Sequence, residues 1–159
     1  MTQEDKQLLL KDLCARLPYG VIVQVNDGLK GIYDRRLVQV FCDRLSCSVN
    51  VYNTLSECIC IDSVKPYLRP MSSMTEDEKL MYEGLMIGTD NVPYMSDVID
   101  WLNKKMFDFR GLIPKGRAIA VNENNNPYEK NNSVWDNIPY GWYIRGGMIL
   151  PPPNHKKVC

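Results

Sequence analysis

The residues of this 159-residue chain whose types could support catalysis or hold a metal are six cysteines, one histidine and a scatter of aspartates. Cys42, Cys47, Cys58 and Cys60 form the densest cluster, and Cys58 and Cys60 share a face if the chain there is a strand. A structural zinc site needs paired Cys-x-x-Cys knuckles to set its tetrahedron, and the chain has none. The sole histidine, His155, follows Pro151-Pro152-Pro153 in a tail that should fray, so it is no positioned base for a thiolate. Asp97 and Asp100 stand at i, i+3 on a helical pattern, where, with Asp108, they fit a solvated face better than an acid–base pair. Gly111-Leu112-Ile113-Pro114-Lys115-Gly116-Arg117-Ala118 echoes a phosphate-binding loop. There Arg117 and Ala118 occupy the places of the phosphate-binding lysine and the magnesium-binding hydroxyl. These patterns imply no enzyme, no cofactor and no metal.

Recognition is the chemistry that remains. Lys65, Arg69, Arg110, Lys115 and Arg117 are interleaved with Tyr67 and Phe109; a convergent patch of this kind would bind a phosphate backbone and stack bases. The alternative is that Arg69 and Arg110 pair with carboxylates inside the fold. Trp135, Tyr140, Trp142 and Tyr143 concentrate rigid aromatic area near the C-terminus, a composition suited to a protein contact. Six of the eight methionines fall between Met71 and Met106, where core filling is the expected role. With 19 basic and 19 acidic side chains, no global field draws the chain to nucleic acid or to an anionic membrane. The leading expectation is a non-enzymatic module that binds an unknown protein partner; an accessory nucleic-acid binder is second and an unrecognised hydrolase third.

The elements that must position these residues follow from periodicity. Thr2 and Asp5 form a capping arrangement, and Leu9, Leu10, Leu13, Cys14 and Leu17 recur at helical spacing until Pro18 and Gly20 stop the helix. Val21, Val23 and Val25 then share one strand face, and Asn26-Asp27-Gly28 is a turn. Further strands are expected over 30–33, 37–43, 48–53 and 58–64, with Pro66 and Pro70 ending the last. Short connections favour an antiparallel meander curled into a barrel-like sheet. Two overlapping capping boxes, Ser73 with Glu76 and Thr75 with Glu78, start a helix over 76–87. Ser96 caps another, burying Val98, Ile99, Leu102 and Met106, and 117–121 reads as a strand. The fold class is therefore α+β. Residues 1–121 form the core domain, 122–133 a mobile polar loop, 134–150 an aromatic hairpin around Gly146-Gly147, and 151–159 a flexible tail.

A polar start and the lack of a long apolar run point to a cytoplasmic protein with no membrane partner, in which the cysteines are reduced and mostly buried. Lys65-Pro66-Tyr67-Leu68-Arg69-Pro70-Met71-Ser72-Ser73-Met74-Thr75-Glu76 and Asp100-Trp101-Leu102-Asn103 are distinctive stretches. The second continues in Phe107-Asp108-Phe109-Arg110-Gly111-Leu112-Ile113-Pro114-Lys115-Gly116, and Leu17-Pro18-Tyr19-Gly20-Val21 lies upstream. Together they resemble an uncharacterised family of small proteins from gut anaerobic bacteria and their phages or mobile elements. The resemblance covers roughly residues 13–121 and implies a mobile-element origin. It implies no activity and no catalytic residue, and the segment after Asn122 departs from the family's usual ending.

Overall fold

Thr2 opens the first helix, α1 (Gln3–Arg16), by accepting the Asp5 amide on its hydroxyl at 3.1 Å. A 3-10 turn (Leu17–Tyr19) follows, and Gly20 leaves it at φ 70°, a left-handed conformation that glycine adopts without strain. The computed structural model describes residues 1–28, 31–42, 47–51, 59–87, 95–130, 143–145 and 148–150. They belong to two units, Met1–Asn126 and Pro127–Cys159.

In the first unit, Val21, Val23 and Val25 are all buried, as their alternation requires. β1 (Ile22–Asp27) pairs antiparallel with β2 (Gly31–Cys42), from Ile22↔Arg36 to Asp27↔Gly31. β3 (Cys47–Val51) pairs with the second half of β2, and β4 (Ile59–Cys60) pairs with β3. β5 (Val64–Leu68) lies on the other flank of β1, and β6 (Ile119–Ala120) lies beyond it. The order is β4-β3-β2-β1-β5-β6.

The class is α+β, as expected, but the sheet is neither closed nor wholly antiparallel. Its edges are β4 and β6, and β6 runs parallel to β5 through Tyr67↔Ile119 and Leu68↔Ala120. Connectivity is the reason. After β5 the chain passes through two helices, and so long an excursion permits the parallel crossover that short loops forbid. Two of the expected strands, 30–33 and 37–43, are one strand, β2, whose register shifts between Leu37 and Gln39 as its partner changes from β1 to β3. The expected strand over 58–64 is interrupted by a 3-10 turn (Ile61–Ser63). Pro66 lies inside β5 rather than ending it: it faces Val23 on one flank, and the pairing on the other flank begins only at Tyr67.

The helix over 76–87 is α2 (Glu76–Ile87), and only one of its two capping boxes forms. Thr75 Oγ1 accepts the Glu78 amide at 3.2 Å while Glu78 Oε2 accepts the Thr75 amide at 3.1 Å. Ser73 instead donates to the Pro70 carbonyl, and Glu76 pairs with Lys79. α3 (Met95–Lys104) starts one residue before Ser96, so that serine lies inside the helix. Met74, Val98, Leu102 and Phe107 make a buried cluster, with Met71, Tyr82, Leu85, Trp101 and Phe109 packed against it. Trp101 stacks on Phe107 at a centroid distance of 5.6 Å.

The start of the asparagine-rich segment is a built turn. Asn122 Oδ1 accepts the Asn124 and Asn125 amides, and Asn125 returns bonds to the Asn122 amide and the Ala120 carbonyl. The second unit contains α4 (Pro127–Lys130) and the expected hairpin, β7 (Tyr143–Arg145) against β8 (Met148–Leu150), with Arg145 opposite Met148.

Candidate functional site

The two distinctive stretches meet in space. The Arg69 amide donates to the Met106 carbonyl at 2.7 Å, the Asp108 amide donates to the Arg69 carbonyl at 2.8 Å, and the Arg69 guanidinium lies 4.3 Å from the Phe107 ring centroid. Met106 sits at φ 59°, rare for a residue with a side chain. Its amide bonds to Asn103 and that of Phe107 to Leu102, which is the Schellman pattern that ends α3.

Arg16 of α1 reaches this helix end and is completely buried. Its Nε and Nη2 bond the two carboxylate oxygens of buried Asp12 at 2.8 and 3.0 Å. Nη1 donates to the carbonyls of Leu102 and Asn103 and Nη2 to that of Phe107, so all five guanidinium donors have acceptors. A cation on the last carbonyls of α3 also complements that helix dipole. Arg110 completes the junction, donating to Asp12 Oδ1 at 2.8 Å and to Asn103 Oδ1 at 3.1 Å while lying over the Phe109 ring. The Asp12–Arg16 pair escaped the reading of the sequence, which placed Leu10 and Cys14 on the buried face. The signal was available: Leu9, Asp12, Leu13 and Arg16 stand at i, i+3, i+4 and i+7, and these four are the buried residues of α1.

The five candidate basic residues are mostly neutralised within the fold. Arg69 makes a bidentate pair with Glu78 at 2.8 and 2.7 Å, Arg110 pairs with Asp12, and Lys115 and Arg117 both approach Asp5 at 3.3 Å. Exposed Lys65 has no carboxylate partner among the described residues. The Arg69 hydrogen bonds hold the Glu78 carboxyl at about 2, well below its ordinary value; the Thr75 amide and Lys105 act in the same direction.

The loop that echoes a phosphate cradle already contains its anion. Asp108, nearly buried, accepts the Leu112 amide at 2.8 Å and the Ile113 amide at 2.7 Å, which are the donors a phosphate would need. Gly111 and Gly116 supply positive φ for the turn. Asp100 accepts from the Tyr19 hydroxyl, and Asp97 is exposed. Among the described residues no three His, Cys, Asp or Glu side chains converge as a metal site. Cys14 and Cys60 are exposed, which corrects the expectation that they are buried; Cys58 and the side chains of Cys42 and Cys47 lie outside the described residues. So do Trp135, Tyr140, Trp142 and the side chain of Tyr143, whose backbone opens β7.

The unexpected feature is the outside of the helix pair. Met74 and Met106 are buried as expected, but Met81, Met86 and Met95 are exposed, and so is Ile99, which the periodicity placed inside. Of the ten exposed large hydrophobic residues among those described, six lie on α2 and α3: Leu80, Met81, Met86, Ile87, Met95 and Ile99. Leu80 is 67% exposed and Ile87 59%, and α2 has no fully buried residue at all. No helix among the described residues is long and apolar enough to cross a membrane. The chain matches no protein-family model, no curated protein and no solved structure.

Proposed function

We propose that this chain is a non-enzymatic protein-interaction module that docks through the outer face of α2 and the adjoining part of α3. The observation that carries this reading is the clustering of Leu80, Met81, Met86, Ile87, Met95 and Ile99 on two successive helices. Apolar residues scattered singly over a surface need no partner, whereas their concentration on one helix pair supports a contact; Leu80 and Ile87 share the side of α2 opposite Tyr82 and Leu85, with Met81 and Met86 on its two flanks. Methionine is well suited to such a face because its unbranched thioether adapts to the shape of what it meets. Nucleic-acid binding gains little support, since four of its five candidate cations are already held by Glu78, Asp12 and Asp5. The aromatic segment 134–150 is a second contact under the same reading. Trp142→Ala should then weaken a captured partner by roughly 2 kcal/mol without unfolding the chain.

Site-specific photocrosslinking in the native host tests the reading. A photoreactive residue at Met81 or Ile87 should capture a defined protein, and the same group at Ile32, an exposed apolar residue of β2, should not. Equal capture at all three positions, or none at Met81 and Ile87, would count against it.

A further inference from the structure

We propose that the occupant of the α2 face is a basic amphipathic helix of another protein, crossing at Gly84; this rests on the reading that the face docks a protein. Leu80, Gly84 and Ile87 stand at i, i+4 and i+7 and form a single stripe, which Asp77 and Glu83 flank three residues before and after Leu80. All five residues are exposed. The other carboxylates of α2 are occupied, Glu76 by Lys79 and Glu78 by Arg69 and Lys105. Asp77 and Glu83 are exposed and have no cation among the described residues, and in this proposal they meet lysines or arginines beside a partner's apolar stripe.

Gly84 is an independent indication. A glycine inside a helix costs about 1 kcal/mol relative to alanine. No contact among the described residues requires it, because a Cβ built there meets no neighbouring atom within 4 Å. At a helix crossing the distance between axes is set by the side chains at the contact, and a glycine allows the closest approach. A second copy of this chain fits poorly, since α2 carries four carboxylates against one lysine and self-pairing would bring like charge together.

The test uses the full chain and two synthetic helical peptides of roughly five turns. Both carry the same leucine face; one has lysine flanks and the other glutamate flanks. Fluorescence anisotropy should show the lysine peptide binding at least about tenfold more tightly. Asp77→Asn with Glu83→Gln should remove most of that preference. Leu80→Gln should weaken the lysine peptide about tenfold, and Gly84→Leu should do the same while the melting temperature does not fall. If both peptides bind alike and Leu80→Gln weakens both, the docking face stands and the basic partner is wrong. If neither binds, or Leu80→Gln changes nothing, face and partner both fall. A wild-type dimer that Leu80→Gln dissociates in sedimentation would assign the face to a second copy and overturn the proposal.

Discussion

The junction around Arg16 and the outer face of α2 depart from ordinary side-chain placement in opposite directions. One buries an arginine and two aspartates; the other exposes leucine, isoleucine and methionine. At the junction every donor of Arg16 is satisfied within the fold, and Asp108 spends its carboxylate on two backbone amides. On α2 the stripe is exposed, and its flanking carboxylates have no cation partner among the described residues. Satisfaction, rather than charge, separates the two regions: a hydrogen-bonded network holds the fold together, whereas an exposed apolar face with unpaired carboxylates among the described residues suits a partner.

The largest effect should come from opening the closed region. Asp12→Ala leaves Arg16 and Arg110 without their carboxylate and should cost about 3–5 kcal/mol in urea unfolding, because a buried charge loses its partner. A loss under about 1 kcal/mol would mean that water reaches the junction and that the contrast with α2 is overstated. Next, Leu68 of β5, completely buried, should cost roughly 2–5 kcal/mol when truncated to Ala. An unchanged melting temperature would show that this buried side chain contributes little to the core.

Glu78 joins the two regions, being both the α2 cap and the partner of Arg69. Its folded value of about 2 lies below the ordinary 4.5, so its contribution is complete above about pH 4.5 and is lost as pH falls toward 2. Glu78→Gln should therefore destabilise by about 1 kcal/mol at neutral pH and flatten this part of the acid-unfolding curve. A mutant and wild type with parallel pH profiles would remove Glu78 from that role.

On α2 itself the effects should be small or of opposite sign. Gly84→Ala should raise stability by up to about 1 kcal/mol, since the added methyl meets only open space. Leu80→Gln should change the unfolding free energy by no more than about 0.5 kcal/mol. A larger loss would show that Leu80 belongs to the core and would erase the comparison at its apolar end.

Local structure was legible in the sequence because its signals are local. The Thr2 cap, the Val21-Val23-Val25 face, the Thr75–Glu78 box and the bounds of α2 each depend on residues a few positions apart, and each is present as read. The open, mixed form of the sheet was not legible, since the parallel addition of β6 to β5 joins residues some fifty positions apart. Nor was the sense of burial on the helices. Hydrophobic spacing shows that a helix has an apolar face, but only the packing partner decides which face turns inward, and the same spacing fits a core or a contact. Thus Asp12 and Arg16 lie inside because the end of α3 supplies acceptors for a guanidinium, while Leu80 and Ile87 lie outside because Tyr82 and Leu85 already take the inner side of α2.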